Sequence, residues 1–173
     1  MQVVRMDMKL VKLEKVTVNV GIGESSDRLK KAKAIIERLT GKTAALTQAR
    51  IRVQAFGIRK GDTIGAKVTL RGEDAAEFLK KAFDAVEYKM NKHSIDNHGN
   101  FAFGVKEYID FPGAKYDPTI GIIGFDVCAT MIRPGKRVTV RRRLRSTVRS
   151  RHRVTKDETV DFLTKNFKVN FYE

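Results

Sequence analysis

A run of arginines towards the C-terminal end of the chain carries the clearest chemical signal in the sequence. Residues 133–153 contain nine Arg and one Lys but no Asp or Glu. The guanidinium group of Arg presents a planar set of donors that suits two-point contacts with phosphate. The alternative is a solvated basic face, which is the usual role of a shorter charge run. Ten cations without an acid favour binding to a polyanion instead.

Most of the net charge of the chain lies in this Arg-rich segment. The 173 residues include 35 Lys and Arg against 20 Asp and Glu, which gives a formal net charge of +15. Outside residues 133–153, the remaining 25 basic and 20 acidic residues leave only +5. Such an excess predicts a nucleic-acid partner, although it does not distinguish RNA from DNA. The arginines expected to neutralise phosphates are Arg141, Arg142, Arg143, Arg145, Arg149, Arg151 and Arg153.

Two other patterns with chemical potential are weak. The string GIGESS (21–26) resembles the start of a dinucleotide-binding fingerprint, but Ser26 stands where the third glycine belongs. His93, Asp96 and His98 share a polar loop, but their spacing is not a recognised metal-ligand spacing. No catalytic triad or pair of carboxylates stands out. We therefore expect no catalytic site, no metal or cofactor site and no small-molecule substrate.

The single cysteine and the N-terminal residues bear on the cellular compartment. Cys128 excludes an internal disulfide, and its apolar surroundings (IIGFDVCATMI) predict a buried core residue. The start of the chain, MQVVRMDMKL, lacks the long apolar stretch of a signal peptide. No apolar run approaches the roughly 20 residues that a membrane-spanning helix needs. These features predict a reducing, cytoplasmic location and no membrane partner.

The elements that must position these residues follow from hydrophobic spacing. Apolar residues at helical spacing predict three helices, over residues 27–40, 75–86 and 155–168. Ser25 or Ser26 can cap the start of the first helix. Thr155 and Glu158 form the pattern of a capping box at the start of the third.

Alternation of apolar and polar residues predicts the strands. They are expected over residues 16–20, 67–71, 101–108 and 119–132, with an extended segment over 44–56 and a glycine-punctuated loop over 57–65. This pattern predicts an α+β fold of two layers, with helices packed on one face of a mostly antiparallel sheet. We expect one domain over residues 1–173 that includes the Arg-rich segment 133–153 and the C-terminal helix 155–168.

Strand alternation also exposes a polar and basic sheet face. Val and Leu residues of strands 16–20 and 67–71 point towards the helices, so the opposite face presents Thr17, Asn19, Lys67, Thr69 and Arg71. Because helices cover only one side, this face can meet an RNA backbone or base edges. A merely solvated face, on which Thr is common anyway, is an equally open alternative from the pattern alone.

Longer strings are more specific than composition. In order along the chain they are KVTVNVGIGES (15–25), LTGK (39–42) with T-x-A-R (47–50), FGIRKGDTIGAKVTLRG (56–72), SIDNHGNFAFGVKEYIDFPGAKYDP (94–118) and IGIIGFDV (120–127). Together they resemble the universal large-subunit ribosomal protein family that binds 5S ribosomal RNA, the "L five" family. The resemblance covers roughly residues 14–130 in collinear order. The tail, from RPGKRV to HRVTKDE, resembles the archaeal and eukaryotic branch.

The resemblance implies a structural protein of the ribosome. Family members are two-layer α+β proteins that bind 5S ribosomal RNA and a hairpin of large-subunit ribosomal RNA in the central protuberance. One loop reaches peptidyl-site tRNA, and other loops contact a small-subunit head protein across an intersubunit bridge. The alternative is a general basic architectural protein that binds nucleic acid, which the composition alone permits.

The resemblance also implies particular contact residues. The positions that match 5S-contacting residues of the family are Asn19, Lys42, Thr69 and Arg71. With Thr17 and Lys67 added from strand alternation, the expected 5S-binding set is Thr17, Asn19, Lys42, Lys67, Thr69 and Arg71. Lys42 stands where many family members have Gln, so a phosphate contact can replace a base-edge contact there.

The loop implied to face tRNA is Gly57–Gly65, with Arg59 and Lys60 at its tip. Its glycines allow many backbone conformations, and its two cations suit a polyanionic partner. The residues expected to act in it are Gly57, Ile58, Arg59, Lys60, Gly61, Asp62 and Thr63.

Overall fold

A five-stranded sheet is the centre of the fold. The computed structural model describes residues 7–23, 27–114, 116 and 121–172. In chain order its strands are β1 (Lys12–Gly21), β2 (Ala45–Gln48), β3 (Thr63–Leu70), β4 (Lys89–Asn91), β5 (Phe101–Val105), β6 (Phe125–Ile132) and β7 (Asn170–Tyr172). The main sheet has the order β2-β3-β1-β6-β5, and all its neighbours are antiparallel. Strands β4 and β7 form a separate parallel pair.

Helices cover one face of this sheet. Within the described ranges they are α1 (Asp27–Thr40), α2 (Glu73–Ala85), α3 (Arg137–Val140) and α4 (Lys156–Phe167). Helices α1, α2 and α4 contribute buried residues to a single core, whereas α3 is one turn with no buried residue. The two-layer α+β prediction is therefore confirmed. No helix in the described part of the chain has the length and apolar character needed to span a bilayer.

Alternation in β1 decides which sheet face is buried. Val16, Val18 and Val20 are at most 3% exposed. They lie opposite Leu70, Val68 and Ala66 of β3, which are buried as well. A slip of one residue in this pairing would turn every apolar side chain of β1 towards solvent. The burial of these valines therefore sets the register of the central strands.

Helix α2 connects the sheet to the C-terminal helix through an aromatic cluster. The ring of Phe83 is 5.0 Å from that of Phe103 and 6.2 Å from that of Phe101, both on β5. On its other side it lies 5.6 Å from Phe167, the last residue of α4. Buried aromatic residues supply much of the free energy of such a core. Phe83 therefore joins α2, β5 and α4 into one packing unit.

The capping box predicted for the third helix is present at the start of α4. Thr155 Oγ1 accepts the backbone N–H of Glu158 at 3.5 Å, and Glu158 Oε2 accepts the backbone N–H of Thr155 at 3.1 Å. This exchange satisfies two donors that the helix itself leaves unpaired. The caps predicted for α1, Ser25 or Ser26, lie outside the described residues.

Several strand boundaries differ from the sequence prediction. Of the stretch 44–56, only Ala45–Gln48 pairs in the sheet, because the register shifts between Thr47 and Gln48 and the chain then leaves the sheet. Strand β5 ends at Val105 instead of residue 108, because Tyr108 begins a turn of 3-10 helix. Strand β6 begins at Phe125, and residues 119 and 120 of the predicted strand lie outside the described residues.

Strands β4 and β7 were not predicted. Each has only three residues, which is too short for an alternating pattern to be visible. Their pairing joins two segments about 80 residues apart in sequence, with Met90 opposite Phe171.

We predict that Phe83→Ala lowers the free energy of unfolding by about 3–5 kcal/mol, the usual cost of removing a buried aromatic side chain. The reason is that Phe83 is 1% exposed and holds three elements together. Urea unfolding followed by circular dichroism measures the change. Phe56→Ala is the matched control, because Phe56 is 76% exposed and its loss should cost less than about 0.5 kcal/mol. Equal costs for the two variants would contradict this assignment of the core.

Candidate nucleic-acid interface

The open face of the sheet, defined as the face away from α1 and α2, carries polar residues in rows that cross the strands. In one row Asn19 of β1 lies between Lys67 of β3 and Asp126 of β6. Gly104 of β5 lies beyond Asp126. Lys67 and Asp126 are exposed, and Asn19 is half-buried. The row therefore offers a cation, an amide and a carboxylate to phosphate, sugar or base edges.

The neighbouring row places Cys128 on the open face, which corrects the prediction that it is a core residue. Cys128 lies opposite Thr17 and is exposed. Its chain neighbours Val127 and Ala129 point into the core, so alternation turns the thiol outwards. Burial by its surroundings and, second, the negative charge of Asp126 raise the pKa of the Cys128 thiol. The thiol is therefore mostly protonated at neutral pH and weakly nucleophilic.

Arg71 extends the open face at one end of the sheet. It follows the last residue of β3, and its Nη1 is 3.8 Å from Oε1 of Glu14. The other carboxylate oxygen, Glu14 Oε2, lies 3.4 Å from Nζ of Lys136 in the Arg-rich segment. Exposed pairs of this kind stabilise a fold by only about 0–1 kcal/mol, so a phosphate can compete for either cation. Glu14 thus links the open face to the Arg-rich segment.

Lys42, the remaining member of the predicted 5S-binding set, contacts the start of α2, close to where β3 ends. It is in the loop between α1 and β2, and its Nζ lies 2.9 Å from Oδ2 of Asp74 in the first turn of α2. Both side chains are 55% exposed. The structure brings the other five residues onto one face: Thr17, Asn19, Lys67, Thr69 and Arg71.

The predicted tRNA-facing loop ends earlier than its sequence suggested. Thr63 was expected in the loop, but it pairs with Gln48 as the first residue of β3. Gly65 lies within the sheet as well. A Cβ at this position would be 2.5 Å from the carbonyl oxygen of Val20, so the close approach of β1 requires glycine. The loop proper therefore ends at Asp62.

The segment between β2 and β3 (residues 49–62, the β2–β3 excursion) is closed by its own hydrogen bonds. Val53 and Ile58 exchange backbone hydrogen bonds of 3.0 and 3.1 Å. Asp62 Oδ2 accepts the backbone N–H of Arg59 at 2.7 Å, which shapes the turn that exposes Arg59 and Lys60. Beside this basic turn, the excursion exposes Phe56, one of the apolar residues of the stretch 44–56 that the sequence predicts to run extended.

The Arg-rich segment presents its cations to solvent. All seven arginines expected to contact phosphate are exposed, and none of them forms an ion pair with a carboxylate among the described residues. Arg133 behaves differently, because its guanidinium group bonds the carboxylate of Glu158 on α4 and its side chain is 11% exposed. Arg133 therefore anchors the segment while the later arginines remain available to a polyanion.

The weak enzyme-like patterns have structural explanations. Burial would raise the pKa of Asp96, but hydrogen bonds from the side chain and backbone of Asn100 and from the backbone of His98 hold it below its ordinary value. Asp96 thus organises its own loop. No group of three or more His, Cys, Asp and Glu within the described ranges is placed to hold a metal. Of GIGESS, Ile22 and Gly23 both bond Ile64, and residues 24–26 lie outside the described residues.

We predict that iodoacetamide alkylates Cys128 in the folded protein, more slowly at pH 8 than in the urea-unfolded chain. The thiol is exposed, but its raised pKa leaves less thiolate at a given pH, and the rate should level off at a higher pH than in the unfolded chain. Mass spectrometry of a pH series measures the rate.

Burial is the larger cause of the raised pKa of Cys128, and Asp126→Asn tests the smaller one, because it removes a negative charge beside the thiol. The variant should react faster than the parent protein at the same pH, since its thiol pKa falls. Reaction only after unfolding would contradict the placement of Cys128 on the open face.

The sequence matches known proteins along most of its length. A model of "Ribosomal protein L5" matches residues 7–59, and a model of the C-terminus of the same ribosomal protein family matches residues 63–171. "Large ribosomal subunit protein uL5" of Sulfolobus acidocaldarius is 47% identical over 166 residues, covering 96% of this chain and 93% of that protein. The proteins of the same name from Aeropyrum pernix and Methanococcus vannielii are each 48% identical, over 168 and 163 residues. These alignments cover 96% and 92% of this chain, and 88% and 90% of the two relatives.

Proposed function

The chain belongs to the ribosomal protein L5 family and is a structural, non-enzymatic protein of the large ribosomal subunit in the cytoplasm, and we propose that it binds 5S ribosomal RNA through the open face of its sheet. One observation carries this proposal. Five residues of the expected 5S-binding set share the sheet face opposite helices α1 and α2, on the adjacent strands β1 and β3 and just beyond the end of β3. A rigid sheet holds such groups in place before the RNA arrives, which lowers the ordering cost of binding.

The charges of the open face suggest how the RNA lies on it. From Lys67 to Asp126 the row changes from positive to negative across two strand spacings, about 9–10 Å. A phosphate is attracted to the Lys67 side and repelled from the Asp126 side. The RNA backbone therefore runs along β3, and groups that donate hydrogen bonds, such as base amino groups or 2′-hydroxyls, point towards β6. Asn19, between them, can donate to one side and accept from the other.

The Arg-rich segment supplies the contact with large-subunit ribosomal RNA in this proposal. Its exposed and unpaired arginines neutralise phosphates, which positions the protein without reading sequence. The ion pair of Arg133 with Glu158 holds the segment against α4. Lys42 contributes a further phosphate contact at the α1 side, where RNA competes with Asp74 for the ammonium group.

We further propose that the β2–β3 excursion reaches peptidyl-site tRNA. Arg59 and Lys60 are exposed on a turn that is held by Asp62, and they lie away from the row of Lys67 and Asn19. Contact with a small-subunit head protein across an intersubunit bridge belongs to the same proposal and rests on family membership.

In this proposal, the two segments that match the family models, residues 7–59 and 63–171, form one domain. Strands β1 and β2 of the first segment pair with β3 and β6 of the second, so neither half can complete the sheet alone. We therefore expect residues 1–173 to unfold in a single transition.

We predict that Asn19→Ala combined with Thr69→Ala weakens 5S RNA binding about tenfold or more. The two side chains lose hydrogen bonds of about 0.5–1.5 kcal/mol each. A gel-shift titration with excess tRNA and duplex DNA as competitors measures the change.

The matched control is Asn166→Ala with Thr164→Ala, which removes the same residue types from the exposed surface of α4. This control should bind 5S RNA like the parent protein. If tRNA and duplex DNA compete as well as 5S RNA does, the protein is a general nucleic-acid binder and the proposal is wrong.

We predict that Arg59→Ala with Lys60→Ala leaves 5S RNA affinity nearly unchanged but speeds the loss of peptidyl-site tRNA from assembled ribosomes. The reason is that the excursion presents both cations away from the proposed 5S-binding rows. Filter-binding of tRNA to reconstituted ribosomes measures its retention. Lys80→Ala with Lys81→Ala removes equal charge from the outer surface of α2 and should retain tRNA normally. Loss of 5S binding in the Arg59/Lys60 variant would refute this division of roles.

A further inference from the structure

A cavity lies between the Arg-rich segment and the end of the sheet where β6 stops. Its volume is ≈ 670 Å³, within the range of about 300–1,000 Å³ that is usual for small-ligand sites. The end of β6, the turn of α3 with the residues after it, and the loop before β5 form its walls. None of the described residues that line it is acidic.

The cations of the cavity are only partly neutralised by the protein. Arg133 is paired with Glu158, and Lys136 is near Glu14. Arg145 and Arg153 also line the cavity, and neither forms an ion pair among the described residues. Two guanidinium groups that line one cavity without a carboxylate partner attract an anion, and their planar shape suits a phosphate.

The inner wall of the cavity is apolar. Met131 and Val154 are each 3% exposed, and Val148 is half-buried beside them. An apolar wall next to unpaired arginines fits a ligand that has both a flat apolar part and a phosphate. A nucleotide has both parts, whereas a free phosphate would leave the apolar wall uncovered.

The cavity lies close to the open face. Glu14 lies within 3.8 Å of Arg71 on the open face and within 3.4 Å of Lys136 in the cavity wall. One carboxylate therefore separates a cation of the open face from a cation of the cavity.

We propose that the cavity holds one unpaired nucleotide of the ribosomal RNA that lies on the open face. The base packs against Met131, Val148 and Val154, and its phosphate lies between Arg145 and Arg153. This inference rests on the proposed function and extends it, because it names an extruded nucleotide as the ligand of a separate site.

The experiment compares three variants of the full chain. Val148→Trp fills the cavity without changing the charge. Arg145→Ala with Arg153→Ala removes the two unpaired cations from the cavity. Arg142→Ala with Arg143→Ala is the matched control for AMP binding alone, because it removes the same charge from exposed positions of the segment that do not line the cavity. Since these two arginines are also expected to contact phosphate, this variant should itself bind ribosomal RNA less tightly. Each variant is titrated with 5S ribosomal RNA, with large-subunit ribosomal RNA and, by NMR of the Val methyl groups, with AMP.

The cavity-filling variant should weaken binding to at least one ribosomal RNA by about tenfold, the size of one lost base contact, without changing the salt dependence. The Arg145/Arg153 variant should lose affinity and also flatten the slope of log affinity against log salt by about 1.4–1.8. AMP should bind weakly to the parent protein and to the Arg142/Arg143 control, shift the signals of Val148 and Val154, and be displaced by ribosomal RNA.

Three results would overturn the inference. They are unchanged binding of both RNAs to the Val148→Trp variant, AMP binding that RNA does not displace, and equal loss of AMP binding in the control. If Val148→Trp lowers the melting temperature, Ser146→Phe at the exposed rim takes its place. The Asn19/Thr69 variant separates the two proposals. If only the cavity proposal is wrong, this variant still weakens binding of 5S RNA. If the proposed 5S-binding face is wrong as well, it does not.

Discussion

The burial of Val16, Val18 and Val20 is the constraint on which the rest of this structure depends. Strand β1 is central, with β3 on one side and β6 on the other, so its register sets the facing of both neighbours. Once the three valines lie under the helices, Thr17 and Asn19 must point to the opposite face. The same geometry aligns Lys67, Thr69, Asp126 and Cys128 with them. A hydrophobic requirement on one side of the sheet thus produces the ordered polar rows on the other.

Local pattern predicted the elements near this constraint and failed away from it. The faces of β1 and β3 and the capping box at Thr155 could be predicted because each depends on residues close in sequence. Cys128 was misplaced because free cysteines are usually buried, although Asp126 and Thr130 at the same spacing already indicated an outward side. The β2–β3 excursion has no hydrophobic period, since backbone hydrogen bonds of residues such as Val53 and Ile58 hold it. The cavity was invisible in the sequence because residues as distant as Asn100 and Arg153 form it.

The cations of this protein differ in whether an acidic side chain lies beside them. Glu14, Asp74 and Glu158 each lie beside a cation, and these pairs hold elements of the fold together at their surfaces. The later arginines of the Arg-rich segment lack such partners in the described part of the chain. Their mutual repulsion opposes compaction of the free protein and is relieved when phosphates approach. The cations beside an acid therefore have a partner in the free protein that a phosphate must displace, as at Lys42 and Arg71, whereas the later arginines have no carboxylate among the described residues to give up.

Because β4 pairs with β7, the fold cannot be completed until residues 170–172 have been synthesised. Strand β7 lies at residues 170–172, and Phe167, which packs on Phe83, comes shortly before it. A nascent chain displays its whole Arg-rich segment before these closing contacts can form. Until residue 172 has left the exit tunnel, the chain is a polycation with an open aromatic core. Such an intermediate is prone to bind RNA indiscriminately and to aggregate, so cells that make this protein have reason to shield it during translation.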